Sequence, residues 1–258
     1  LTVQNLGEYD FSKFLRHFLL TVKEKPVQKP KVLGIFKGLI EEGGTRGASQ
    51  NLERLFEASE LYAQLLGEER SHPNPRVAEA ALRMNFYSET HRVFLLSVLD
   101  KQSHLKQSDV ELLFRATEYL SFRWIAFKGN AQELEGLYQK LSHDLRREPT
   151  SETVQKIVDK IEKAAPSDNI IGEFSDLENS NLQRYILRRI EERFSGNTTN
   201  WNEHLSLEHL CPQNPTGDSA AFWEARIPLD DDESYTEIVS MIGNLTLLEK
   251  SLNSSIQD

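Results

Sequence analysis

The spacing of apolar residues changes once along this 258-residue chain, and that change limits the possible folds more than any other feature. Up to residue 196 apolar side chains recur at steps of three and four, the pattern of one buried helix face. Beyond Trp201 they alternate with polar ones at a step of two, as in half-buried strands. Phe11, Phe14, Leu15, Phe18, Leu19 and Val22 begin the first pattern, and Pro26 and Pro30 break it. The spacing predicts further helices over residues 32–40, stopped by Gly43-Gly44, and over residues 51–66. His72-Pro73-Asn74-Pro75 reads as a turn, and residues 91–99 as a short apolar-striped segment.

Ser108-Asp109-Val110-Glu111 reads as a capping box opening a helix through Trp124 and Phe127. Three more follow: residues 131–145, a helix carrying Val154, Ile157, Val158 and Ile161, and residues 177–194. Gly196-Asn197-Thr198-Thr199-Asn200 then marks the expected boundary. The predicted architecture is mainly α. A multi-helix bundle or array over 1–196 precedes a small α+β domain over 197–258, in which residues 205–210 and 244–247 pair as strands. Trp201, Phe222 and Trp223 are the expected core of that domain.

Bulk properties exclude several classes. A single cysteine, Cys211, rules out an internal disulfide and a multi-cysteine zinc cluster. No apolar run of about 18 residues suits a membrane span, and no secretion signal is evident. A cytoplasmic protein without membrane contact is the expectation. Leu1 and Asp258 read as cut ends. Gly43-Gly44-Thr45-Arg46-Gly47 lacks the lysine of a phosphate-binding loop. The formal charge is −10, unevenly spread. Residues 197–258 carry two basic side chains (Arg226, Lys250) and eleven acidic ones, net −9, whereas the remainder nets −1. A segment at −9 cannot by itself grip a polyphosphate.

The chemistry-bearing residues gather in the last fifty positions. Leu207-Glu208-His209-Leu210-Cys211-Pro212 is followed by Ile242-Gly243-Asn244-Leu245-Thr246-Leu247-Leu248 and then Asn253. An imidazole titrates near neutral pH and can take a proton from water. A carboxylate and an amide oxygen can hold a hard cation such as Mg²⁺, and a second asparagine can brace the loop. Each residue also has a structural alternative: His209 as a packed histidine, Asn253 as a helix N-cap, His204 on the surface, Cys211 as a small packed residue. A transition-metal site from His204, Glu208, His209 and Cys211 is a further alternative. Glu208 and His209 alternate across an ideal strand, so the strand must end or bulge at this pair.

Glu208-His209-x-x-Pro212, Gly243-Asn244-Leu245-Thr246-Leu247-Leu248 and Asn253 resemble the HNH (His-Me finger) nuclease domain of GmrSD-type restriction proteins. The upstream run Tyr185-Ile186-Leu187-Arg188-Arg189-Ile190-Glu191 carries the same resemblance. It implies a ββα-metal domain, here truncated at its C-terminus, and a DNA endonuclease that nicks or cuts phage or modified DNA in bacterial defence. It also implies His209 as general base, Glu208 and Asn253 as ligands of Mg²⁺ or Mn²⁺, and Asn244 fixing the loop beneath the base. Family proteins carry an N-terminal nucleotide-hydrolysing domain with no counterpart here. Arg184, Arg188, Arg189 and His204 are candidate DNA contacts, with Ile186 and Ile190 on the buried side of their helix. Arg115, Arg123 and Lys128 are weaker candidates. A solvated helix face paired with Glu191 and Glu192 is the alternative for the arginines, and a non-catalytic helical interaction module is the alternative for the whole chain.

Overall fold

Asp10 starts the first helix, α1 (Phe11–Val22), by accepting a hydrogen bond from the Ser12 backbone N–H at 2.8 Å. Phe14, Leu15, Phe18 and Leu19 face inward as their spacing predicts. The structure is a computed structural model and describes residues 10–42, 44–67, 71–127, 129–165, 177, 179–196, 205–227 and 235–249. Among the described residues the chain is mainly helical, with eleven α-helices and one two-stranded antiparallel sheet. It divides into two units, residues 1–166 and 167–258.

The first unit continues with α2 (Val32–Glu41), α3 (Gly44–Leu66), α4 (Pro75–Asn85), α5 (Arg92–Lys101), α6 (Gln107–Phe127), α7 (Ala131–Arg147) and α8 (Ser151–Ala164). Helix α5 is apolar on every side, and such a helix belongs in a core. Val93, Phe94, Leu95, Leu96, Val98 and Leu99 are all at most 2 % exposed. It is walled by α1, α3, α6 and α7. Buried polar groups in this unit are mostly paired. Arg83 on α4 donates Nε and Nη2 to the Glu118 carboxylate on α6 at 2.6 and 2.9 Å, and His17 Nδ1 meets the Tyr62 hydroxyl at 2.7 Å.

Three features differ from the sequence expectations. Helix α3 starts at Gly44, seven residues early, because Gly44 and Gly47 allow the chain to pass closely by the end of α2. Gly44 has φ +63°, and a Cβ on Gly47 would lie 2.5 Å from the Glu42 carbonyl oxygen. Helix α4 occupies the chain directly after the expected turn. Its start was readable in Asn74, whose side chain caps Arg76 N–H at 2.9 Å, and in Pro75 at the first helical position. Helix α6 begins at Gln107, so Ser108 lies inside the first turn rather than capping it.

The second unit holds α9 (Ser180–Ser195), β1 (Leu205–His209), α10 (Asp218–Glu224), α11 (Tyr235–Ser240) and β2 (Leu245–Glu249). Asn179 caps α9, accepting from Asn181 and Leu182 N–H at 3.0 and 3.2 Å. Gly196 ends the helix at φ +70°, the left-handed position glycine adopts without cost. The separation between units therefore falls near residue 166, and α9 belongs with the ribbon rather than with the first unit.

Candidate functional site

The two strands expected from the period-two pattern pair antiparallel in continuous register: Leu205 opposite Glu249, Leu207 opposite Leu247, Glu208 opposite Thr246 and His209 opposite Leu245. Directly opposed residues share a face. One face is thus Leu205, Leu207, His209, Leu245, Leu247 and Glu249, and the other is Ser206, Glu208, Thr246 and Leu248. The first is mostly apolar and ends on His209 beside buried Leu245. No residue is inserted at Glu208-His209; the strand ends at His209, with the acid and the imidazole on opposite faces. Both are half-buried.

Asn244 anchors the chain leaving β1. It is 8 % exposed and sits in a short 3₁₀ turn, Ile242–Asn244, immediately before β2. Its carbonyl accepts from Leu210 N–H at 2.8 Å. Its side-chain Oδ1 accepts from Cys211 N–H at 2.7 Å, while Nδ2 donates to the carbonyls of Cys211 (3.1 Å) and Val239 (2.8 Å). Cys211 N–H can only donate, so the amide oxygen must face it, which fixes the orientation of the whole group. One side chain, 33 residues downstream, therefore closes the loop that follows His209. Tyr235, at the start of α11, adds a second tie: its hydroxyl donates to the Pro212 carbonyl at 2.8 Å. The sequence reading did not single out Tyr235, and no local pattern marks it.

The structure brings His209, Asn244 and Cys211 together at one end of the ribbon and keeps Glu208 next to them on the other face. His204, Asn253, Trp201 and Lys128 lie outside the described residues. Among the described residues no group of three or more His, Cys, Asp or Glu side chains stands together. The described part of the proposed ligand set is one carboxylate, Glu208. That donor chemistry suits a hard cation, because Mg²⁺ binds through one or two carboxylates and keeps several waters.

Helix α9 requires a correction. Its buried face is Leu182, Gln183, Tyr185 and Arg188, not the Ile186–Ile190 side; Ile190 is 45 % exposed. Arg188 is 1 % exposed, so its guanidinium is not on the surface where DNA would meet it. The apolar stripe at Leu182 and Tyr185 is the one turned inward, and Arg188 falls one turn along it. Arg189 is exposed and pairs with Glu192 at 2.5 Å; Arg184 is half-buried, near Ser180 Oγ and Asn181 Oδ1 at 3.4 Å. In α6, Arg115 is exposed, whereas Arg123 is buried with its guanidinium over the Tyr119 and Phe127 rings. Phe222 is likewise not core. It is 46 % exposed, edge-on to Trp223 at 5.2 Å and under the Arg226 guanidinium at 3.7 Å.

Fold and site together define a helical protein whose second unit carries an antiparallel ribbon ending in an acid–histidine pair, held by a buried asparagine. Residues 165–258 match the family model described as GmrSD restriction endonucleases, C-terminal domain. The match spans the second unit and leaves the helices of the first outside it. No curated protein and no solved structure matches the chain. Among the described residues no helix is long and apolar enough to cross a membrane.

Proposed function

We propose that the chain is a divalent-metal-dependent DNA endonuclease that nicks or cuts phage or modified DNA as part of a cytoplasmic bacterial defence system, with residues 197–258 forming the nuclease fold. The observation that supports this most directly is the family match across the second unit, with Glu208-His209 at the end of the ribbon inside the matched segment. His209 takes a proton from the attacking water, and the P–O bond to the leaving strand breaks as the new one forms. Glu208 and Asn253 would hold Mg²⁺ or Mn²⁺, which when bound supplies positive charge to the scissile phosphate and the departing oxygen. Asn244 acts on position: its contacts to Leu210 and Cys211 fix the chain directly after His209. The resemblance also implies a nucleotide-hydrolysing domain as functional partner.

Supercoiled plasmid incubated with the chain and Mg²⁺ is expected to yield nicked or linear product. That product should vanish with EDTA and in His209→Ala. Product that persists in His209→Ala, or no product at all, would overturn the reading in favour of a non-catalytic interaction module.

A further inference from the structure

The charge of the chain raises a question that the nuclease reading leaves open. The second unit holds six basic and seventeen acidic side chains, net −11, and so repels the substrate it is proposed to cut. In the first unit the positive charge is concentrated in one stretch. Residues 11–40 carry seven lysines and arginines against a single acid, Glu24, net +6.

The stretch divides into spent and unspent cations. Lys13 pairs with Glu89 at 3.1 Å, Arg16 is bidentate to Glu135, and Lys23 meets Glu42 at 3.5 Å. The first two pairs line a cleft of about 920 Å³, which Asp10 and Lys29 also line. Lys25, Lys29, Lys31 and Lys37 are exposed and form no ion pair among the described residues. They ride on the connection between α1 and α2 and on the outer side of α2.

That connection is built rather than loose. Gln139 Nε2 donates to the carbonyls of Lys23 (2.7 Å) and Lys25 (3.2 Å), and a ring nitrogen of His143 reaches the Lys23 carbonyl at 2.9 Å. Arg16 Nε donates to the Val27 carbonyl at 2.9 Å, and Val27 and Val32 are 2 % and 3 % exposed. Pro26 and Pro30 restrict the backbone further. The carbonyls and the two valines are tied inward to α1 and α7, while the lysines between them are exposed. Exposed lysines on a backbone held in this way suit a polyanion, because little backbone ordering is left for binding to impose.

We propose that Lys25, Lys29, Lys31 and Lys37 form a phosphate-backbone handle for duplex DNA, an inference that rests on the nuclease reading. Each phosphate contact contributes about 0.9 to the slope of log affinity against log salt, so four contribute about 3.6. The test measures binding of the whole chain to a short fluorescent duplex in EDTA across a KCl series. The variants are Lys25→Gln/Lys29→Gln/Lys31→Gln/Lys37→Gln and a control with four exposed lysines elsewhere, Lys106→Gln/Lys156→Gln/Lys160→Gln/Lys163→Gln. The handle variant should lose about 3 to 4 units of slope and bind at least about tenfold more weakly at low salt, with the control close to the parent. Equal losses in both variants, or no loss in the first, would overturn the handle. So would a handle variant that keeps duplex binding but loses binding to phosphatidylserine vesicles. Plasmid cutting by the parent chain separates the two proposals: lysine-dependent binding without such cutting would spare the handle and sink the nuclease reading. Cutting with lysine-independent binding would do the reverse.

Discussion

Replacing Asn244 tests whether one buried amide holds the end of the ribbon. Asn244→Ala removes three side-chain hydrogen bonds, to Cys211 N–H, Cys211 C=O and Val239 C=O, while leaving the backbone bond from Leu210. At a net value near 1 kcal/mol each, with Val239 itself 1 % exposed, the expected loss is about 3 kcal/mol. For a unit of this size that corresponds to a fall in its melting midpoint of more than about 10 °C. It also raises the local opening constant on the order of 100-fold, because each 1.4 kcal/mol is a factor of ten. Hydrogen exchange at Leu210 and Cys211, read by mass spectrometry, should accelerate accordingly, and plasmid cutting should fall with it. Asn244→Asp sharpens the test at equal volume. It keeps an acceptor for Cys211 N–H but sets a carboxylate oxygen against two carbonyls, so at neutral pH it should be at least as damaging as alanine. Unchanged exchange in Asn244→Ala, or an Asn244→Asp variant as stable as the parent, would refute the bracing role.

Other consequences are equally direct. Arg83→Met should destabilise the first unit by about 3–5 kcal/mol in a thermal melt, because it removes the bidentate cation from the buried Glu118 carboxylate; Arg83→Met/Glu118→Leu should recover most of that loss. His91 is fully buried, and both of its ring nitrogens lack a hydrogen-bond partner among the described residues. Burial and then Arg92 hold its pKa well below 6.5, and burial with Arg92, Arg16 and Lys13 lowers that of His17 to about 3. The unfolded chain therefore binds more protons than the folded one below pH 6.5, and stability should fall as pH drops from 6.5 toward 3. His91→Leu should flatten that decline and raise the midpoint at pH 5; a steeper decline would count against it. Asn74→Ala should cost about 1 kcal/mol through the lost cap of α4. It should also raise the Glu111 pKa, which the Asn74 amide and then Arg76 hold below 4.5, by an NMR titration of that carboxyl.

The sequence by itself determined the class of fold. Periodicity at three and four placed most helices, and periodicity at two placed both strands, because burial on one face selects those spacings irrespective of what covers the face. It also carried the resemblance of the second unit, in two short runs of letters around Glu208-His209 and Gly243-Asn244. What local pattern could not reach depends on distant partners. The spacing put Ile186 and Ile190 on the buried side of α9, whereas packing turned Leu182, Tyr185 and Arg188 inward and left Ile190 in solvent. Phe222 is hydrophobic enough for a core but is 46 % exposed, against Trp223 and the Arg226 guanidinium. The hydrogen bonds of Asn244 to Cys211, and of Tyr235 to Pro212, join residues far apart in the chain. So do the bonds from Gln139 and His143 that fasten the lysine-bearing loop. Composition could show that residues 11–40 are basic. Only the tertiary structure decided which of those cations were neutralised by acids elsewhere in the chain and which remained available, because ion pairing depends on distance in space rather than on spacing along the chain.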